Sequence, residues 1–466
     1  MAVLTVPRPK KLTRWEPEDP HFWENTARPI SYRTLAITTF ALTLSFATWF
    51  MWSAAVVHLN NVGFKLSVTE SFWLAAMPGL SGATLRFIHS FLILRFGTRT
   101  VVTLGTVSML IPAVGLGMAV QNPATPYWVL LVLAACAGLG GGNFASYMSS
   151  TSLYFPRSRQ GVALGIQAGI GNFGVSLVQF AIPIVITMSM FSGLGGEAQS
   201  WTSGAVNKSM WLQNAGYVWI VPVLLSTVLC YFGLVNLPIR RPIKQQFVIF
   251  RRKHTWVMLL LYIMTFGSFS GFSAAFPLLI KELFGQLPNA PQPLTYAFLG
   301  PLIGSLSRPL AGWISDRVGG GLVTLVSSVG LCLGAIGVTF ATAPQSAADF
   351  APFLIWMLIL FCASGIGNGS TFQQIPFIFP PAEAGPVLGF TSIAAYGSFV
   401  FPIVFGWALS TYGSPNIAFY AFFGFFAVCT LLNWWYYTRQ GCEKPCKPVS
   451  GKVISMPVGK DQTARA

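Results

Sequence analysis

The chain has 466 residues, of which 53% are hydrophobic and only 9% are charged, and its mean hydropathy is +0.62. Soluble domains carry about a quarter charged residues, so this composition excludes an ordinary soluble protein and indicates a polytopic membrane protein. In a soluble chain the net charge of +16 would suggest a nucleic-acid partner. We expect no nucleic-acid partner, because the positions of the lysines and arginines follow the topology of a membrane protein, as described below.

Twelve apolar stretches are long enough to cross a bilayer, since a spanning helix needs about 20 apolar residues. We therefore predict an all-α membrane protein with twelve transmembrane helices. The predicted spans lie near residues 34–60, 69–94, 98–120, 126–150, 159–190, 216–237, 254–280, 292–315, 320–343, 350–379, 384–412 and 415–438.

The lysines and arginines are divided unequally between the two sets of connections. Of the 28, only Lys65, Lys208 and Lys281 lie in one set, two arginines lie inside spans, and the rest lie in the other set or near the termini. Cytoplasmic connections are the ones enriched in Lys and Arg. We therefore expect a multi-pass protein of the bacterial inner membrane with both termini in the cytoplasm, including the N-terminal segment 1–33 and the tail 439–466.

The second predicted span contains Arg86, within the stretch Gly79–Phe91. A charge at the centre of a bilayer is costly and rare, so it marks a functional site. His89 follows three residues later and is a possible proton site, although a hydrogen-bonded polar contact is the simpler interpretation. All twelve carboxylates lie outside the spans or at their edges, whereas proton-coupled carriers commonly use an acid within the membrane.

Glycines recur along the fifth span, which strips side chains from one helix face and lets another helix approach closely. For Gly161 and Gly165 the simpler interpretation is static helix packing. Asn172 differs, because a buried amide can bond an anion or satisfy a neighbouring helix, and we favour the role in a site. The candidate conformational glycines are Gly165, Gly169 and Gly171 here, with Gly389 and Gly397 of the eleventh span.

The second half of the chain opens after residues 240–253, a short, basic, proline-containing linker. Tyr262 and Phe266 of the seventh span are one helical turn apart and share a face. Arg308 of the eighth span is the only other arginine within an apolar stretch. After it, Asp316 and Arg317 belong to a G-x-x-x-D-R-x-G motif, whose acid and glycines allow a tight cytoplasmic turn to pack against a neighbouring helix.

The two halves repeat each other at an offset near 224 residues. Phe155-Pro156 is matched by Phe379-Pro380, and the repeat pairs Phe46 with Phe266 and Arg86 with Arg308. Related halves in one orientation are typical of transporters with a central site between the halves. We therefore predict two pseudo-symmetric six-helix bundles, spanning residues 34–239 and 254–438, in which both arginines meet one anion.

Several motifs resemble the NarK-type nitrate/nitrite porters of the major facilitator superfamily. They are the Trp15–Trp23 stretch (WEPEDPHFW), the surroundings of Arg86, GNFAS at 142–146, AGIGNFG at 168–174, TFGSF at 265–269 and the segment from Arg308 to Gly320. The resemblance implies the major facilitator fold and nitrate and nitrite as substrates. It also implies that Arg86 and Arg308 bind the anion, that Asn172 and Tyr262 assist, and that the rings of Phe144 and Phe266 sandwich it.

No enzyme motif is visible: the sequence lacks a phosphate-binding glycine loop, paired metal-binding histidines and a nucleophile elbow. We expect no enzyme activity, no cofactor and no metal, and this fold usually works as a monomer.

Two cations without an intramembrane acid would leave an empty site at about +2, which resists closing because like charges repel strongly in a low dielectric. The prediction is a nitrate/nitrite antiporter that works by a rocker-switch form of alternating access. The alternatives are a proton-coupled nitrate symporter using His89, an organophosphate/phosphate exchanger, and a sensor or channel without carrier activity.

Overall fold

The computed structural model describes residues 12–190, 195–203, 206–239 and 243–445. The start of the predicted N-terminal segment, the first residues of the linker and most of the predicted tail lie outside these ranges. Within them, ten helices are long and apolar enough to cross a membrane. Two further long helices, α2 and α8 below, carry the buried arginines, so the structure contains all twelve predicted spans as helices.

The twelve helices follow the predicted order with shifts of a few residues at most ends. In the first half they are α1 Pro20–Val62, α2 Val68–Phe96, α3 Thr98–Ala119, α4 Tyr127–Tyr154, α5 Arg157–Val185 and α6 Asn214–Gly233. In the second half they are α7 Lys253–Phe284, α8 Leu299–Val318, α9 Gly320–Thr339, α10 Ala347–Ile378, α11 Glu383–Tyr412 and α12 Asn416–Thr438. Among them, α7 has a π-helical turn at Ile263–Gly267 and α11 has a 3-10 stretch at Ser392–Tyr396.

Shorter elements join these helices. An antiparallel hairpin of β1 Gln199–Ser203 and β2 Val206–Met210 lies between α5 and α6, and the sequence did not predict it. A 3-10 helix at Ile243–Arg251 leads into α7, and a one-turn helix at Pro293–Ala297 precedes α8. The term linker end is used for the end of the molecule where α6 ends and α7 begins. The term hairpin end is used for the opposite end, which carries β1 and β2.

The first helix begins within the segment predicted to precede the spans. Asp19 caps it, because its carboxylate accepts hydrogen bonds from the backbone N–H groups of His21 (2.9 Å) and Phe22 (3.4 Å). Pro20 occupies the first helical position, where its missing N–H costs nothing. The indole of Trp15 donates to the carbonyl of Leu153, which fixes the start of the chain against the end of α4.

The helices pack in matching pairs in the two halves. In the first half α1 packs against α4 and α5, and α2 packs against α4. The equivalent second-half pairs, α7 with α10 and α11, and α8 with α10, are also in contact. Across the halves, α2 contacts α11, α5 contacts α8, and α1 contacts α7. The arginine helices α2 and α8 therefore each lie on the boundary between the two halves.

Two equivalent turns follow the arginine helices. Gly97 ends α2 with φ of 85°, and Gly319 ends α8 with φ of 95°, a region that side chains with a Cβ rarely adopt. In the second turn, the Asp316 carboxylate accepts a hydrogen bond from Gln373 of α10 (3.1 Å). The Arg317 guanidinium lies 3.6 Å from the centre of the Trp313 ring. The turn thus contacts a neighbouring helix, as the motif predicts for its acid.

Polar contacts join the halves at the hairpin end. Gln179 of α5 donates to the carbonyl of Ser273 in α7 (2.8 Å), and Lys281 of α7 donates to the carbonyl of Val57 in α1 (2.7 Å). Near the linker end, some positions on α5, α8 and α11 have no close neighbour among the described residues. There a Cβ added at any of four glycines would meet no atom within 4 Å; the four are Gly161, Gly165, Gly312 and Gly385.

Candidate anion-binding site

Arg86 is fully buried near the middle of α2. Its Nε donates to the carbonyl of Gly141 in α4 (2.8 Å), and one Nη donates to the carbonyl of Ser392 in α11 (3.0 Å). The chain can place these groups together because glycines line the crossing of α2 and α4: a Cβ at Gly141 would lie 3.0 Å from the Cα of Gly82. The second Nη of Arg86 has no hydrogen-bond partner among the described residues.

Arg308 is almost equally buried, with 3% of its surface exposed. One Nη donates to the Tyr262 hydroxyl of α7 (3.4 Å), and the guanidinium lies 5.0 Å from the centre of the Phe372 ring of α10. Its other Nη has no hydrogen-bond partner in the described part of the chain. Close packing of α8 on α10 holds this geometry, since a Cβ at Gly369 would lie only 2.4 Å from the Arg308 carbonyl.

A set of aromatic rings joins the two arginines. The Arg86 guanidinium lies 4.6 Å from the centre of the Phe144 ring and 4.8 Å from that of Phe266. Phe266 stacks on Tyr262, with the ring centroids 5.3 Å apart, and Tyr262 accepts the hydrogen bond from Arg308. The structure therefore brings together both predicted arginines and all three predicted aromatic residues.

The two rings predicted to sandwich the anion lie close to each other in this structure. Phe144 and Phe266 are nearly parallel, but their centroids are 5.9 Å apart. A planar anion between two rings needs about 7 Å, which is two contacts of about 3.5 Å each. The ring faces are therefore too close to hold an anion as they stand, and binding between them would need the two rings to separate.

Asn172 of α5 is fully buried, and neither its amide nitrogen nor its amide oxygen has a partner among the described residues. The nearby glycines show which way it faces. Gly169 faces Pro309 of α8, whereas Gly171 faces Leu42 of α1. With 100° per residue, Asn172 projects between these two directions, on the face of α5 that lies between α8 and α1.

The site carries net positive charge. None of the ion pairs in the described ranges involves Arg86 or Arg308. Paired charges lie at the linker end instead, where Arg252 holds both carboxylate oxygens of Glu383 (2.8 and 3.1 Å). In the same region the pKa of the Glu443 carboxyl is held below its ordinary value, chiefly by the hydrogen bond from Lys253.

Sequence reasoning missed several polar or aromatic residues at or near this centre, among them Trp49 of α1, whose ring centre lies 4.8 Å from the Arg86 guanidinium. Phe372 contacts Tyr262 and the Arg308 guanidinium, but nothing in the sequence distinguishes it from the other phenylalanines. Ser305 of α8 is buried with an unpartnered hydroxyl, and Asn368 of α10 is buried with both amide atoms unpartnered in the described structure. The internal repeat could have indicated Asn368, because it occupies the position in α10 that corresponds to Phe144 in α4.

The candidate conformational glycines lie at unequal distances from their neighbours. A Cβ at Gly397 of α11 would lie 2.2–2.4 Å from three backbone atoms of Gly267 in α7. A Cβ at Gly165 would meet no atom within 4 Å, so the static packing expected there is absent in this conformation. The other three are approached closely: Gly169 by Pro309, Gly171 by Leu42 and Gly389 by Ser90.

His89 forms a polar contact between α2 and α4. Its Nδ1 lies 3.1 Å from the oxygen of the Ser146 hydroxyl. That hydroxyl in turn donates to the Asn143 carbonyl (3.1 Å). No hydrogen bond or ion pair of His89 with a carboxylate or with Arg86 is present among the described residues. The geometry matches the simpler of the two interpretations of this histidine.

We expect His89→Asn to leave nitrate counterflow within about twofold of wild type and to leave its pH dependence unchanged, because an amide can replace the bond to Ser146. Counterflow into nitrite-loaded proteoliposomes between pH 6 and 8 measures this. A selective loss of proton-driven uptake in the variant would return His89 to the role of proton carrier.

Comparisons with known proteins agree with this architecture. The family model described as Major Facilitator Superfamily matches residues 35–402. The chain is 54% identical to the probable nitrate/nitrite antiporter NarK2 of Thermus thermophilus over 93% of this chain and 98% of the relative. It is 39% identical to the nitrate/nitrite transporter NarU of Salmonella typhimurium over 92% of this chain and 96% of the relative.

A solved structure supports the fold independently. The proton:xylose symporter XylE bound to 6-bromo-6-deoxy-D-glucose superposes with a TM-score of 0.64 at 16% identity, over 88% of this chain and 96% of that one. Identity this low shows the fold alone. Together with the relatives above, it shows that the chain is a multi-pass membrane protein of the major facilitator fold and belongs to the NarK-type nitrate/nitrite porter family.

Proposed function

We propose that this protein is a nitrate/nitrite antiporter of the bacterial inner membrane that imports nitrate in exchange for nitrite. One observation carries the proposal. Arg86 and Arg308, one from each half, are buried at the same aromatic cluster, and each has an Nη group without a partner in the described structure. Buried cationic donors without partners favour an anion, because an unmet buried hydrogen-bonding group is costly. The relatives, a probable nitrate/nitrite antiporter and a nitrate/nitrite transporter, suggest the identity of that anion.

The chemistry of the site suits a small monovalent oxyanion. A guanidinium can offer two parallel N–H groups to two oxygens of planar nitrate or nitrite. The flat faces of Phe144 and Phe266 would favour a planar anion over tetrahedral phosphate. Because the faces of these rings are too close to hold an anion here, we propose that anion binding includes their separation, with the free Nη groups of both arginines turning to the same ligand.

The positive charge of the site would favour exchange of one anion for another over net uptake. Without an anion, two cations face a low-dielectric centre that has no carboxylate, and their repulsion of several kcal/mol opposes closure of the halves. A bound anion lowers that cost and allows the halves to rock. The contacts of Gln179 and Lys281 at the hairpin end, with open space at the linker end, are those expected for the state that opens toward the cytoplasm. Both termini would then be cytoplasmic, and one chain would suffice for transport.

Counterflow in proteoliposomes tests this function. We expect labelled nitrate to enter vesicles loaded with nitrite or nitrate, and uptake into vesicles without internal anion to be at least about tenfold slower. Vesicles loaded with phosphate serve as the control for the exchanged anion. Robust net nitrate uptake driven by a pH gradient into anion-free vesicles would contradict exchange and support the proton symporter.

A further inference from the structure

We infer that Asn368 of α10 contacts the transported anion and contributes to its selection as the second-half partner of Asn172. This inference rests on the proposed function, because it adds a residue to the same site. None of the sequence motifs assigned Asn368 such a role, and the evidence comes from its burial, its direction and its place in the internal repeat.

The amide of Asn368 is fully buried and lacks partners at both ends. Its nitrogen and its oxygen both have no hydrogen bond within the described residues. Other polar residues of α10 have partners: the Thr371 hydroxyl donates to the Gly367 carbonyl (2.6 Å), and Gln374 donates to the Thr324 hydroxyl (2.7 Å). Buried amides are normally bonded, so this one requires a partner such as a bound ion.

Neighbouring positions on α10 show the direction of Asn368. A Cβ at Gly365 would lie 2.2 Å from the Gly304 carbonyl of α8, whereas a Cβ at Gly367 would lie 2.3 Å from the Ser327 hydroxyl of α9 and 2.4 Å from Thr265 of α7. One face of α10 is therefore on α8 and another is on α7 and α9. With 100° per residue, Asn368 projects between these two faces.

The residue one turn later shows what lies there. Phe372 shares the face of Asn368, since residues four apart are neighbours on a helix. Its ring centroid lies 4.7 Å from that of Tyr262, 6.2 Å from that of Phe144 and 5.0 Å from the Arg308 guanidinium. Asn368 therefore faces the cluster that contains the two arginines.

The internal repeat gives an independent argument. Counted from the matched Phe155 and Phe379, Phe144 of α4 corresponds to Asn368 of α10. By the same register, Asn172 of α5 corresponds to Tyr396 of α11. At these two pairs of equivalent positions each half has one amide and one aromatic residue, in exchanged order. Two amides from opposite halves can then bond one anion without changing the charge set by the arginines.

The role of this amide follows from its chemistry. Its N–H group can donate to an oxygen of nitrate or nitrite, and its carbonyl oxygen can accept from a guanidinium N–H. A directed donor of this kind distinguishes oxyanions by the positions of their oxygens, whereas a spherical halide gains nothing from its direction. We therefore expect Asn368 to raise the preference for nitrate over chloride.

The test compares thermal unfolding and nitrate binding of the purified full-length protein and two variants. Asn368→Leu should unfold at the same temperature as wild type or higher without nitrate, because it removes an unpartnered buried amide. It should bind nitrate at least tenfold more weakly and lose most of the preference for nitrate over chloride. The matched control is Asn433→Leu in α12, which removes a buried amide bonded to the Gly321 carbonyl (2.9 Å). That variant should unfold at a lower temperature and keep wild-type nitrate affinity.

The outcomes separate this inference from the proposed function. If wild type binds nitrate and Asn368→Leu binds it with unchanged affinity and unchanged preference over chloride, Asn368 is not a ligand and the inference is wrong. A lower unfolding temperature with unchanged affinity would assign it a purely structural role and overturn the inference in the same way. If wild type shows no nitrate binding at all, the proposed function fails, and this inference fails with it.

Discussion

Arg86→Lys and Arg308→Lys should each lower nitrate counterflow at least about a hundredfold, although both keep the positive charge. The Arg86 guanidinium bonds the Gly141 and Ser392 carbonyls and still has a free Nη group. A lysine ammonium is a compact charge that cannot reproduce this fork. Losing one or two hydrogen bonds to a charged group costs about 1.5–3 kcal/mol each, which corresponds to the expected decrease.

Counterflow rates and nitrate affinities of the purified variants measure the effect. Arg99→Lys is the matched control, because Arg99 is only partly buried and its guanidinium lies 4.3 Å from the centre of the Tyr231 ring, away from the aromatic cluster. We expect that control to transport at the wild-type rate. Wild-type nitrate affinity in both Arg86→Lys and Arg308→Lys would remove the two arginines from the site.

Gly397→Ala should lower transport at least about tenfold, because the crossing of α7 and α11 has no space for a methyl group. The new Cβ would lie 2.2–2.4 Å from the backbone of Gly267. Backbone atoms cannot rotate away as a flexible side chain can, so the helices must separate. Overpacking of this kind typically costs about 1–3 kcal/mol or more. The shift would also displace Phe266, the residue before Gly267, from the Arg86 guanidinium.

Fluorescence-detected size-exclusion chromatography and counterflow separate the two effects, the first reporting folding and the second reporting activity. Gly424→Ala in α12 is the control, because its Cβ would meet no atom within 4 Å and alanine favours a helix interior by about 1 kcal/mol. The control should fold and transport at least as well as wild type. Normal transport by Gly397→Ala would mean that this crossing tolerates separation of the helices.

The sequence predicted the features of this protein that depend on solvation. Long, mainly apolar stretches predicted the twelve helices, ten of which are apolar enough to span by composition, and the cost of a charge in lipid singled out Arg86 and Arg308 in the other two. The repeat then placed the two arginines in equivalent positions, and both are buried at one aromatic cluster. The helix prediction succeeds because lipid favours long apolar stretches whatever neighbours a helix has, and the anion-binding role of the two arginines stays a prediction.

Features that depend on pairwise packing were beyond the sequence. The spanning helices carry apolar residues on most of their faces. The spacing of apolar residues along α10 therefore does not show that Phe372 is the ring beside Arg308. The close approach of the Phe144 and Phe266 rings, which are predicted to hold the anion between them, depends on how far apart α4 and α7 lie. The same holds for Gly165: whether another helix lies close to it depends on where the neighbouring helices are, which the sequence of its own helix does not show.

The arginine helices have a consequence for biosynthesis. Neither α2 nor α8 is among the ten helices that are apolar enough to cross a membrane by composition. An arginine at the centre of a helix costs about 2.5–3.5 kcal/mol when the helix is inserted by the translocon. The carbonyls that accept from Arg86 belong to Gly141 and Ser392, which the ribosome makes later. Arg86 is therefore costly during synthesis, because its two hydrogen-bond acceptors exist only after α4 and then α11 have been made.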